Sequence, residues 1–337
     1  MGVLAVKRRE FIKLFATTSF ATPFGVHAQV SNKNPKRIAF LPDLVPVTLD
    51  DWRADMRALG WAEGPDFIVV PSGVEPGTLG QAADAQRVVA SKPDLIFTMT
   101  TANALALQRA TPSIPIVMLY SGYPVEAGAA DSLAKPGRNV TGNAIYAETG
   151  VWGKMLQLLR EAKPDIERVA VVWTYVIPAF PKEEIEPCFA DLNSAARSLG
   201  LKLRIVEVAK GEQVQTALAE VQEWKPGGLL LTSSVTSDAM SAVAQFAVEK
   251  RLPTMIDFDW TPFLAPPHPL LGYGPVYRDL VRSAAASVDK ILRGASPANV
   301  PIERPSRFEL VVNQKTAKAI GLDLPAALIA QAATVIE

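Results

Sequence analysis

The sequence predicts an α/β protein built as two doubly wound, parallel-sheet lobes joined by a multi-strand hinge. Three observations lead there. Short β-rich apolar runs alternate with helically spaced segments from residue 37 onward, the alternation restarts after Gly142, and 337 residues suit two cores better than one. Strands that alternate with helices form parallel sheets covered on both faces. Hydrophobic residues make up 49% and charged residues 20%, with no long polar or repetitive tract, so the chain buries enough apolar surface to fold throughout.

In the first lobe Arg37–Leu41 reads as a strand, Pro42–Thr48 as a loop and Leu49–Leu59 as a helix, with Thr48 and Asp51 as cap and third-position acid and Gly60 as the stop. Phe67–Pro71, Leu95–Thr98 and Ile116–Tyr120 read as strands, and Thr78–Ser91 and Ala102–Ala110 as helices. In the second lobe Val151–Glu161 is a helix and Arg168–Trp173 a strand. A long helix then ends at Leu199-Gly200, and Leu203–Val208, Val214–Glu223, Gly228–Thr232, Asp238–Lys250 and Pro253–Ile256 alternate strand and helix. The tail supplies a strand near Leu270–Tyr273, a helix over Val276–Arg293, a strand at Phe308–Val312, and short helices capped around Asn313 and begun at Pro325. Too few strands remain there for a third domain, so the tail is expected to complete both lobes. The expected division is 29–143 with 270–300 in the first lobe and 144–269 with 301–337 in the second.

Residues 1–28 read as an export signal. Lys7, Arg8 and Arg9 form a basic start, Leu14–Val26 is apolar or small, and Val26-His27-Ala28 before Gln29 suits cleavage. Arg8-Arg9-Glu10-Phe11-Ile12-Lys13 resembles a twin-arginine signal, and an ordinary signal peptide carrying two arginines is the other reading. A soluble periplasmic protein is expected, with no direct membrane insertion, because no later segment offers the ~20 apolar residues that span a bilayer. The 34 basic and 34 acidic residues cancel, which leaves no electrostatic footprint for nucleic acid or an anionic membrane. Cys188 is the single cysteine, so no intramolecular disulfide can form, and it reads as buried filler.

Loops after strand C-termini face the crevice of a parallel sheet. In the first lobe these are Pro42–Thr48 with Asp43, Thr98–Asn103, and Ser121–Val125. Thr100, Thr101 and Asn103 place hydroxyls and an amide where a helix begins, a setting that suits a carboxylate. Thr101 as a plain helix cap is the competing reading, and both can hold. Ser121 would add a hydrogen bond and Tyr123 a flat wall. In the second lobe the matching loops carry Trp173, Tyr175, Ser234, Asp257, Asp259 and Trp260. The aromatics would enclose an apolar body and the acids would meet an amine; alternatively, the aromatics pack the hinge and the acids are solvated.

Motifs for catalysis are missing. The sequence has no GxSxG elbow, P-loop, GxGxxG after the first strand, HExxH or cysteine pair, and past the leader its one histidine is His268, in Pro266-Pro-His-Pro-Leu. The Glu183-Glu184-Ile-Glu186 run reads as a solvated helix start. No enzyme activity, cofactor or metal is expected.

Four stretches carry a family resemblance: Arg8-Arg-Glu-Phe-Ile, Lys135-Pro-Gly-Arg-Asn-Val-Thr-Gly142, Tyr273-Gly-Pro, and Arg307-Phe-Glu-Leu-Val-Val-Asn-Gln-Lys-Thr-Ala-Lys-Ala-Ile-Gly-Leu322. In that order and spacing the chain resembles the ABC-transporter substrate-binding family that includes tryptophan- and tyrosine-type binders. The resemblance implies a type I periplasmic binding-protein fold, capture of a small-molecule ligand between hinged lobes, and delivery to an ABC permease in the inner membrane. A monomer is expected. It departs from the family at Trp173-Thr-Tyr-Val-Ile-Pro-Ala-Phe-Pro and at Leu264-Ala-Pro-Pro-His-Pro-Leu-Leu, both at the expected mouth of the second lobe, which puts the ligand's identity in doubt. A ligand sensor for a membrane receptor would share this fold, and an exported hydrolase using acidic residues is the third reading.

Overall fold

Side-chain alternation along the first strand, β1 (Lys36–Leu41), sets the layering of the first lobe. Ile38 points into a core with Trp52 and Met56, while Ala39 and Leu41 point into another with Ala85, Val88 and Leu107. The computed structural model describes residues 34–41, 49–74, 82–146, 150–173, 182–208, 214–232, 237–258 and 268–337. Helix α1 (Leu49–Ala58) covers one face of the sheet, and α2 (Ala82–Ala90) and α3 (Thr101–Ala110) cover the other. With β2 (Phe67–Val70), β3 (Leu95–Thr98), β4 (Ile116–Ser121) and β5 (Val140–Ala144), β1 forms a parallel five-stranded sheet in the order β2-β1-β3-β4-β5.

The second lobe repeats the plan. It contains α4 (Val151–Ala162), β6 (Arg168–Trp173), α5 (Lys182–Ser198), β7 (Lys202–Glu207), α6 (Val214–Trp224), β8 (Gly228–Leu231), α7 (Ser237–Glu249) and β9 (Thr254–Ile256). Along β6, Val169 and Val171 join the core shared with α4, whereas Ala170 and Val172 join the one shared with α6 and α7. The tail adds β10 (Leu271–Pro275), α8 (Tyr277–Leu292), β11 (Phe308–Asn313), α9 (Gln314–Ile320), α10 (Ala326–Ala330) and β12 (Thr334–Ile336). The sheet has seven strands in the order β12-β11-β10-β9-β8-β6-β7.

Three differences from the sequence reading have physical causes. First, β10 pairs with β9 and β11 inside the second sheet, so the expected grouping of residues 270–300 divides after the strand: α8 packs on the first lobe, against α1, β4 and β5, and residues 297–300 follow it there along β5. Second, β11 runs antiparallel to β10, because the chain returns from the first lobe to enter the sheet from its opposite end. Third, β5 and β12 went unread as strands. Val140-Thr-Gly-Asn-Ala has glycine and asparagine where a β-rich run is sought, and β12 spans three residues. The expected cap Thr48 and the leader 1–28 lie outside the described residues. Among those described, no helix is long and apolar enough to cross a membrane.

The Lys135–Gly142 motif proves to be a fastening. Asn139 donates through Nδ2 to the carbonyls of Thr111 and Ile114, both at 2.9 Å. Thr141 donates its hydroxyl to Val300 at 2.8 Å, Gly137 donates its amide to Ala298 at 3.0 Å, and Glu303 and Gly142 bond through their backbones at 2.8 Å. The segment returning from α8 to β11 is thereby stitched along the edge of β5. Gly142 has φ +137°, and a Cβ there would fall within 2.6 Å of the Met118 backbone nitrogen and still closer to the Met118 carbonyl oxygen. Gly142→Ala should therefore lower stability by about 2 kcal/mol or more. Urea unfolding checks this; a loss below about 0.5 kcal/mol would show that the strand pair yields without cost.

Candidate functional site

In a parallel sheet the strand C-termini and the helix starts behind them gather on one edge, and here Thr98, Ser121, Ala144, Trp173, Leu231 and Ile256 end their strands. Helix α3 begins directly after β3. Its cap is Thr100, whose side-chain oxygen accepts from the Asn103 amide at 3.4 Å, so the capping role weighed for Thr101 belongs to its neighbour. Thr101 is freed from capping and forms a buried hydroxyl pair with Ser121 at 2.6 Å. Asn103 is fully buried in the first turn of the same helix, and the buried Thr98 hydroxyl has no hydrogen-bond partner among the described residues. Hydroxyls and helix-start amides thus converge at the ends of β3 and β4, a setting that can accept an anion.

Beside this polar corner lies an aromatic cluster joining the lobes. The Tyr123 and Tyr146 rings lie 6.1 Å apart and the Tyr146 and Trp152 rings 4.7 Å apart. Trp152 donates its Nε1 hydrogen to the Tyr123 hydroxyl at 3.0 Å, and that hydroxyl donates to the Asp191 carboxylate at 2.8 Å. Burial, then the neighbouring Cys188, then the bond to Asp191 hold the Tyr123 phenol well above its ordinary range, so it stays protonated. Tyr146 donates to Asp257, whose side chain is only 1% exposed at the end of β9. Gly274 of the Tyr273-Gly-Pro motif makes room for that carboxyl-bearing turn: a Cβ there would lie 2.5 Å from the Asp257 carbonyl oxygen.

Trp173 is 6% exposed and meets Phe189 edge-on at 5.0 Å. Tyr123, Tyr146, Trp152, Trp173 and Cys188 all belong to one continuous core that includes residues of both lobes. Among the candidate residues, then, the structure pairs Thr101 with Ser121 and sets Thr100 and Asn103 in the same helix start; Tyr123 and Trp173 take the hinge-packing position, and Asp257 is buried rather than solvated. Asp43, Tyr175, Ser234, Asp259 and Trp260 lie outside the described residues. Sequence reasoning missed Tyr146, Trp152 and Asp191. Tyr146 follows the unread strand β5, Trp152 looks like an ordinary apolar residue of a helix start, and Asp191 like a solvated helix acid. A groove of ≈ 720 Å³ opens beside Tyr123 and Asp191, with Glu303 and Arg304 on its wall. No group of three or more His, Cys, Asp and Glu among the described residues could hold a metal ion. His268 has its protonation disfavoured by burial.

The family model described as ABC transporter substrate binding protein matches residues 74–336. The chain belongs to that family. Members of the ABC transporter substrate-binding family are binding proteins, not enzymes, in keeping with the lack of catalytic motifs in the sequence. A tyrosine-binding protein of Clostridioides difficile (strain R20291) is 25% identical over 238 residues, covering 71% of this chain and 66% of that protein, just under two thirds of its length. Two solved structures share the fold: a conserved domain protein from Vibrio cholerae, with TM-score 0.77, 23% identity and coverage of 90% of this chain and 100% of that one, and an ABC domain in complex with L-Trp from Streptococcus pneumonia, with TM-score 0.75, 18% identity and the same coverages. These likenesses give the substrate-binding chain two α/β lobes of the type I binding-protein fold.

Tyr146→Phe removes one donor from a buried carboxyl while keeping the ring. It should cost about 1–3 kcal/mol in chemical unfolding. A cost within about 0.5 kcal/mol would mean that the Asp257 carboxyl does not rely on Tyr146.

Proposed function

We propose that this chain is an exported, periplasmic solute-binding protein of an ABC importer, capturing a small organic carboxylate with an aromatic or hydrophobic body between its two hinged lobes. An aromatic amino acid fits this description, and the curated relative named for tyrosine binding supports it. The observation that carries the reading is the convergence of Thr100, Thr101, Asn103 and Ser121 at the start of α3, beside an aromatic cluster that contains a buried acid, Asp257. The helix start and hydroxyls would hold the carboxylate, the aromatic rings the body, and Asp257 an ammonium group. Ligand contacts from both lobes would favour the closed arrangement, which is a population shift and requires no bond to be made or broken. The inner-membrane ABC permease is the partner in this reading, and the protein acts as a monomer.

A thermal-shift series with L-tyrosine, L-tryptophan, benzoate and D-glucose tests the ligand class. A ligand at ~100 times its dissociation constant adds about 2.7 kcal/mol, so an aromatic amino acid should raise the melting temperature by a few degrees and glucose should not. Replacing Thr101 by Val and Ser121 by Ala together should weaken binding about tenfold or more, the usual effect of losing hydrogen bonds to a charged group. Calorimetric titration reads that change. Binding that is indifferent to both substitutions would rule out the carboxylate corner, and a response to glucose alone would overturn the ligand class. Deleting the protein from its host and measuring uptake of the bound amino acid tests the importer role: uptake should fall, and intact uptake would make the protein a sensor.

A further inference from the structure

Tyr123 stands in the loop after β4 of the first lobe, but Trp152 and Asp191, which bond its hydroxyl, come from the second. Trp152 lies in the first turn of α4 and Asp191 lies on α5. An indole N–H only donates and a carboxylate only accepts, so the phenol must receive from Trp152 and spend its single proton on Asp191. That leaves Tyr123 no proton to offer a ligand. Its ring, 4% exposed, still faces the aromatic cluster, so what the hydroxyl contributes is a connection between lobes.

We infer that Asp191 is a positioning residue of the binding site: through Tyr123 it ties the first lobe to the second and holds the unliganded protein in lobe-approached conformations. The tie works without ligand, because both of its ends belong to the protein. Asp191 itself is exposed and borders the 720 Å³ groove, so water competes for its carboxylate. The bond is therefore strong enough to bias an equilibrium and weak enough to release. A protein whose competent conformation is fractionally populated binds with its affinity reduced by that fraction, so loss of the tie lowers affinity for any ligand without touching it. This last consequence rests on the proposed capture of a ligand between the lobes; the tie itself does not.

The test separates the two. Spin labels at the exposed positions Arg57 on α1 and Glu223 on α6, each replaced by cysteine, report the interlobe distance, while the native Cys188 is buried. The ligand-free labelled protein should lose short-distance population in Asp191→Ala and in Tyr123→Phe, and regain part of it in Asp191→Glu. The double variant Asp191→Ala/Tyr123→Phe should match Tyr123→Phe, which already removes the bond to Asp191 together with the one from Trp152. An unchanged distribution in Asp191→Ala, or additive effects in the double variant, overturns the tie. Circular-dichroism melting of each variant checks that the fold is kept. With L-tyrosine as probe, Asp191→Ala should raise the dissociation constant about tenfold, the lower end for a hydrogen bond to a charged group because Asp191 is solvated. If the parent protein binds no aromatic amino acid, the proposed ligand class fails while the distance comparison still decides the tie.

Discussion

The stitching of residues 298–303 along β5 is the constraint on which the two-lobed arrangement depends. The chain passes between lobes from β5 to α4, from β10 to α8, and from α8 back to β11, and the last return is the longest. Left free, it would be a loop carrying exposed backbone groups and considerable conformational entropy. Instead Gly137, Thr141, Gly142 and Glu303 fasten it to the edge of the first sheet, and Ile302 bonds back to Leu133 at 2.8 Å. This edge would otherwise present unpaired strand groups, so the same bonds also close a liability of the sheet. The requirement explains why the motif reads as it does: the asparagine braces the loop before β4, the threonine reaches the returning chain, and only a glycine fits against Met118.

Helix α8 is the second consequence of that layout. It is contributed by the tail yet packs on the first lobe, and its placement is enforced by charge as well as by apolar burial. Arg278 pairs with Asp55 and lies 3.9 Å from Asp51 on α1, and these carboxylates keep the guanidinium more basic than usual. At the other end Trp61 donates to Asp289 at 2.8 Å while Arg293 sits over the Trp61 ring at 5.6 Å. Between these anchors Leu280, Val281, Ala284, Ala285 and Val288 are buried. A fully buried aliphatic side chain contributes roughly 1.5–3 kcal/mol, whereas partly exposed ion pairs give about 0–1 kcal/mol, so burial holds the helix and the charges fix its register.

The framework of alternating elements was legible because period and punctuation survive in a single sequence. Leu95–Thr98 and Arg168–Trp173 match the observed strands residue for residue. What escaped is determined by tertiary contact. Strand β5 forms because β4 and the returning segment lie on either side of it, and neither partner is visible in Val-Thr-Gly-Asn-Ala. The site divides in the same way. Thr100, Thr101, Asn103 and Ser121 follow from the rule that strand ends face the crevice, which needs only local reading. Tyr146, Trp152 and Asp191 owe their roles to residues 111, 29 and 68 positions away, respectively, and no local pattern marks them.

Hinge and candidate site therefore share the same side chains. Tyr146 lies two residues beyond β5, where the chain leaves the first lobe, and hydrogen-bonds Asp257 at the C-terminal end of a second-lobe strand; Trp152 stacks near Tyr146 and bonds Tyr123. A change in the angle between lobes must alter these contacts, because buried aromatic packing and a buried carboxyl tolerate discrete rearrangement better than gradual stretching. Conversely, anything that competes for Asp257 or displaces a ring of this cluster acts on the hinge directly. Under the proposed capture of a ligand between the lobes, coupling between occupancy and lobe position needs no extended pathway through the fold, since the side chains beside the candidate site are those that join the lobes.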